Sequence, residues 1–154
     1  MANVYEPEFD HDMERPPFRW RGARVGAQAG AERLGATLYE LPPGGASFPL
    51  HTHNANEEMI IVLSGRPMLR TLEEERELAV GEVVACTVGS AGTHRLDNRT
   101  SEAARVLIVS TKIRRDVVEY PDSDKLGVVG ANPRELRLIL RADATADYFE
   151  GEIE

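Results

Sequence analysis

The chain has 154 residues, 42% hydrophobic and 29% charged, with a formal net charge of -8. That length suits one domain with a substantial core, and no apolar run approaches the roughly 20 residues that a membrane helix needs. An acidic chain without a Lys/Arg-rich stripe would be repelled by a phosphate backbone, which argues against nucleic acid as a partner.

Residues 1–17 are polar, charged and broken by proline, so they read as an N-terminal arm over the domain or over a neighbouring subunit, with residues 18–154 as a single domain. The arm lacks an apolar signal region, and a cytoplasmic protein is expected. His11, between Asp10 and Asp12, reads as solvated. Strands are expected at 18–22 and 36–41, the second stopped by Pro42-Pro43-Gly44-Gly45, while the glycines of the segment between them argue against a helix.

Further strands are expected at 46–53, 58–63, 66–72, 76–80, 83–88, 93–98 and 105–111, with Glu73-Glu74-Glu75 as an exposed hairpin tip. Short strands separated by Gly, Pro, Asn and Asp turns indicate an all-β barrel or sandwich. The single cysteine, Cys86, forms no internal disulfide and reads as a small buried strand residue. After Thr111 the chain is loop-rich with one short strand, residues 133–141 are open to helix or strand, and Tyr148 and Phe149 are expected to pack on the barrel.

The chemistry concentrates between Gly45 and Gly65. His51 and His53 stand two apart, so both imidazoles share one face of an extended chain. Glu57 and Glu58 follow, then Met59 to Leu63 as a buried strand ending at Ser64-Gly65. Two imidazoles and a carboxylate on a β-scaffold can hold a divalent metal with coordination positions left open. His94, on a separate expected strand, is the natural fourth ligand, and Leu96 and Asn98 share its face.

Gly45, five residues, His51, one, His53, four, Glu58, six, Gly65 resembles the first motif of the cupin superfamily, and Gly81 through His94 to Asn98 resembles the second. In the second motif Thr87 takes the usual proline position, and four residues rather than two separate Gly89 from His94. The resemblance implies a double-stranded β-helix, a jelly-roll-like barrel with a short C-terminal extension. It also implies that His51, His53, Glu58 and His94 ligate one divalent transition metal, Zn, Fe, Mn, Ni or Cu. The distance to Gly65 selects Glu58 over Glu57.

The function expected from this set is a metal-dependent enzyme of dioxygenase, isomerase or decarboxylase type acting on a small polar organic molecule; the alternative is a non-catalytic ligand-binding or sensor cupin. Ile60, Val62, Leu96 and Ile108 are expected to make the pocket apolar, with Asn98 as a polar contact. Edge strands and the arm lead to the expectation of a homodimer.

Overall fold

Turn residues cut the chain into short strands, and in the computed structural model, which describes residues 1–130 and 136–152, these strands form three antiparallel sheets. β1 (His11–Arg15), β2 (Phe18–Ala23), β3 (Leu34–Leu41), β10 (Ala104–Thr111), β5 (Glu58–Ser64) and β8 (Val83–Cys86) lie side by side in that order. A second sheet runs β13 (Arg137–Arg141), β12 (Lys125–Val129), β11 (Asp116–Tyr120), β4 (Thr52–His53), and a third runs β7 (Glu75–Glu77), β6 (Met68–Arg70), β9 (Arg95–Asp97). The architecture is a double-stranded β-helix. Among the described residues no helix is long and apolar enough to cross a membrane.

Two-residue alternation selects the core. On β10, Ala104, Val106 and Ile108 are buried, and across from them on β5 stand Ile60 and Val62. Leu41, Leu69, Leu78 and Leu96 complete the same cluster, and each such side chain contributes roughly 1.5–3 kcal/mol by leaving water. Leu38 faces the other way and packs with Ala23 and Val25 beneath Ala2, Val4 and Phe9, so the first residues of the chain cover the outer face of the large sheet. Gly65 ends β5 with φ +75°, and a Cβ there would sit 2.7 Å from Ala104 Cα, so the turn between motif and strand admits only glycine.

The structure differs from the sequence expectation at several places. The segment 24–33 carries one short helix, α1 (Val25–Gln28). Of the strand expected at 46–53 only β4 and isolated bridges at Ala46 and His51 form, because Pro49 cannot continue a ladder. The loop-rich stretch after Thr111 holds a full hairpin, β11 and β12, and β13 adds to its edge; Pro133 to Glu135 lie outside the described residues. His11 is not freely solvated: its Nδ1 lies 2.5 Å from Asp10 Oδ1 and its ring meets Trp20 edge-on at 5.3 Å. Tyr148 and Phe149 do not pack on the barrel; both are exposed and stack on each other at 4.9 Å.

Candidate metal centre

His51 and His94 face each other across an antiparallel bridge, with backbone hydrogen bonds of 3.2 Å from His51 N to His94 O and 3.0 Å in return. Next to them the Thr52 and Thr93 hydroxyls meet at 2.5 Å. The residues that lengthen the second motif, Ser90–Gly92, curl into a 3-10 turn closed by Thr93 Oγ1 donating to Ser90 O at 2.8 Å. The extra length is absorbed before His94, which keeps its register opposite His51.

β4 presents His53 and the start of β5 presents Glu58, while the neighbouring Glu57 is exposed. Ligand atoms of His51, His53 and Glu58 lie within 4.8 Å of one another. His94 stands outside that triple and reaches it through Glu58, its Nε2 3.1 Å from Oε2. His53 Nε2 lies 3.9 Å from the same oxygen.

Each imidazole has its Nδ1 committed elsewhere. His51 Nδ1 donates to Pro49 O at 2.9 Å, His94 Nδ1 to Gly92 O at 2.9 Å, and His53 Nδ1 to Asp116 Oδ2 at 2.6 Å. In its neutral form each ring thus carries its proton on Nδ1 and offers the Nε2 lone pair to the centre, the tautomer that a metal-ligating histidine needs. Asp116 is itself braced, accepting from the backbone N–H of Asn54 and Ala55 and from Asn56 Nδ2. Burial would raise its pKa, but Asn56 and His53 outweigh it and hold the carboxyl below its ordinary range.

Burial first, then the charges of His94 and His53, lowers the pKa of His51 to about 4. Burial also opposes charge on His94, yet Cys86 and Glu58 outweigh it and push the value up to about 10. For Glu58 burial acts upward, but His94 and the other two imidazoles hold it below the usual carboxylate value. Even so, the buried His94 Nε2 has no hydrogen bond of good geometry. A buried polar atom in that state is costly, and a cation shared with Glu58 and the other imidazoles would relieve it. The donor set fits a first-row divalent ion.

His51, His53 and Glu58 form the floor of an open cavity of about 670 Å³, while His94 lies buried beside Glu58 and does not line it. Ile108, Phe48 and Val118 supply apolar wall. Tyr39 lines it as well, its ring held edge-on by Trp20 at 5.1 Å and Phe48 at 5.2 Å. Burial, with Glu58's charge adding, pushes the Tyr39 phenol up to about 12, so it stays a neutral donor. Ile60, Val62 and Leu96 belong to the core cluster. Asn98 is not a pocket contact near this site: it is buried, and its amide donates to Leu41 O and Glu102 O.

Asp116 and Tyr39 stand at no diagnostic spacing in the sequence. The only signal for Asp116 was its place at the head of an alternating stretch, Asp116-Val117-Val118-Glu119-Tyr120.

Residues 37–110 match the family model of the cupin domain. No curated protein sequence matches the chain. Among solved structures it is similar to a sugar phosphate isomerase of the cupin superfamily from Silicibacter pomeroyi, with 23% identity, TM-score 0.81, and coverage of 97% of this chain and 98% of that one. It is also similar to a polyketide cyclase from Streptomyces resistomycificus, with 18% identity, TM-score 0.61, and coverage of 99% and 92%. Identities this low speak to the fold alone. The family model, the fold and the first motif agree that residues 37–110 form a cupin domain, in a small single-domain chain.

Proposed function

We propose that the protein is a metal-dependent enzyme in which His51, His53, Glu58 and His94 hold one divalent transition ion, Zn, Fe, Mn, Ni or Cu, and a small polar organic molecule is converted in the cavity above them. The observation that carries this reading is that two imidazoles, each with Nδ1 bonded away from the centre, and a carboxylate meet on the floor of an open cavity, with a third imidazole against the carboxylate. A structural site would be closed on all sides. Of the dioxygenase, isomerase and decarboxylase types, isomerisation ranks first, supported by the likeness to a protein described as a sugar phosphate isomerase.

When bound, the ion would supply Lewis-acid polarisation of a substrate carbonyl or hydroxyl. The chain's own residues do the rest. Asp116, Pro49 O and Gly92 O orient the three rings. Tyr39, protonated across the working pH range, is available to donate a hydrogen bond to a substrate oxygen. Phe48, Ile108 and Val118 exclude water from part of the wall, which strengthens each polar contact inside.

The test is elemental analysis of the purified chain together with turnover. About one ion per chain is expected, falling to background in the His51→Ala/His53→Ala double variant. Interconversion of aldose and ketose phosphates should stop on chelation and return on adding metal. A double variant with undiminished metal content would refute the ligand assignment. Full metal content with no turnover of any offered aldose or ketose phosphate would favour the binding-module reading instead.

A homodimer belongs to the same proposal. The face of the β11–β12–β13 sheet turned away from the cavity exposes Val117, Leu138 and Leu140, side chains that a second copy would cover. A monomeric mass in light scattering at working concentration would end it.

A further inference from the structure

The chain carries 26 acidic against 18 basic residues, yet the cavity above His51, His53 and Glu58 has the opposite balance. Glu58 is the one acidic side chain among its lining residues, while Arg15, Lys125 and Arg137 all line it, from β1, β12 and β13. Several other arginines are neutralised locally: Arg21 and Arg105 by Glu40, Arg70 by Asp122, Arg76 by Glu82, Arg95 by Asp97 and Arg99 by Glu75. Among the described residues the three cavity cations have no ion-pair partner.

Register sets Lys125 and Arg137 on the same face of the second sheet. Lys125 pairs with Tyr120 across the β11–β12 hairpin, and Arg137 pairs with Val129 across β12–β13. Alternation therefore sets Tyr120, Lys125, Val129 and Arg137 on one face of that sheet, the face that also carries Val118 beside His53. Tyr120 adds a phenol in the same wall; burial raises its pKa, with Arg137 opposing, so it remains a hydrogen-bond donor.

Three like charges lining one cavity repel one another, and an anion bound among them relieves that repulsion. A carboxylate offers two oxygens, whereas a phosphate monoester offers three and up to two negative charges, which suits donors converging from three strands. We infer that Arg15, Lys125 and Arg137, with Tyr120, form a phosphate-binding wall that holds the phosphorylated end of the substrate while its other end reaches the His51/His53/Glu58 floor. This rests on the metal-enzyme reading for what happens at the floor. The wall itself does not require a metal to bind its anion.

The experiment uses the full chain, once freed of metal by chelation and once reloaded, titrated with inorganic phosphate and separately with acetate by calorimetry, with metal content measured on every sample. Phosphate is expected to bind both forms more tightly than acetate does. In the Lys125→Gln/Arg137→Gln double variant, and in Arg15→Gln, phosphate affinity should fall at least about tenfold, the scale of losing one or more charge-assisted hydrogen bonds. Arg33→Gln, an exposed cation away from the cavity, should change nothing.

Phosphate affinity undiminished in the double variant, equal losses in Arg33→Gln, or acetate bound as tightly as phosphate would each overturn the inference. A wild-type chain with a full complement of metal and no phosphate affinity would overturn it while leaving the metal-enzyme reading intact. Phosphate binding that depends on Lys125 and Arg137 in a chain that takes up no metal would sustain the wall and sink the enzyme reading.

Discussion

Asp116 Oδ2 accepts the Nδ1–H of His53 at 2.6 Å, across 63 residues of sequence, and so ties the β11–β12 hairpin to the ligand strand. The bond fixes the tautomer of His53 and adds basicity to its Nε2.

Asp116→Ala should therefore weaken metal binding by about 10–100-fold without removing any ligand. It should also cost about 1–3 kcal/mol of stability, because the Asn54 and Ala55 backbone donors lose their acceptor. Competition with a chromogenic chelator reads the first effect and thermal unfolding the second. Metal affinity equal to that of the wild type would show that Asp116 braces the loop and leaves the metal site alone.

Protons should compete with the metal through His94. Its pKa, pushed up to about 10 in the metal-free cluster, means that the ion must displace a proton throughout the neutral range. Metal affinity should rise with pH by up to about tenfold per unit between pH 6 and 8, and His94→Gln should flatten that slope. His51, lowered to about 4, is already neutral there and adds nothing to it. In the metal-free protein the same raised value contributes stability that is complete below the ordinary 6.5 and is lost as pH rises toward 10. Chelator competition at several pH values and an alkaline unfolding series measure both; a pH-independent affinity would count against His94 as a ligand.

Glu40 is clamped from both sides, accepting from Arg21 Nε at 2.7 Å and Arg105 Nε at 2.6 Å. Burial works to raise its pKa, but the two guanidinium groups outweigh it and lower it. The stabilisation is thus present above the ordinary carboxylate value and lost as pH falls through the depressed one. Glu40→Gln should cost about 1–2 kcal/mol at neutral pH, a figure held down by the exposure of both arginines, and should flatten the acid limb of the stability curve. Urea unfolding at pH 7 and pH 3 provides the comparison, and an equal loss at both would contradict the assignment.

Arg70 grips Asp122 through two hydrogen bonds of 2.6 and 2.8 Å, at the turn that joins β11 to β12. Because both groups are partly exposed, Arg70→Ala should cost only about 1 kcal/mol globally. Its local effect should be larger: amide exchange should quicken in Asp116–Tyr120 and Lys125–Val129 before it quickens in β5 or β10. Uniform exchange across all four strands would show that the hairpin does not open separately.

The sequence carried the strands and the histidine pair well because both signals are local. Alternation along Arg105 to Thr111 and the two-residue spacing of His51 and His53 need no partner to be read. Asp116 and Tyr39 were silent for the opposite reason: each matters through a contact with residues tens of positions away, and neither stands at a diagnostic spacing. Arg15, Lys125 and Arg137 come from three separate strands, so their convergence exists only once the sheets have closed. The hairpin after Thr111 is hard to read in sequence although its turn, Pro121-Asp122-Ser123-Asp124, is strong, because Gly127 weakens the pattern of the returning strand. Tyr148 and Phe149, expected on the barrel, meet each other edge-on instead.

The bridge between His51 and His94, with Thr52 and Thr93 bonded alongside, also dictates when the centre can come into being. Those threonines are 41 residues apart, and bringing such distant segments together carries a loop-closure entropy cost before any contact repays it. An unfolded chain therefore has scattered histidines but no centre, and an ion that prefers the assembled cluster acts on the folding equilibrium by mass action alone. Metal should slow unfolding more than it hastens folding, since the groups it joins meet only after the two halves of the barrel have closed.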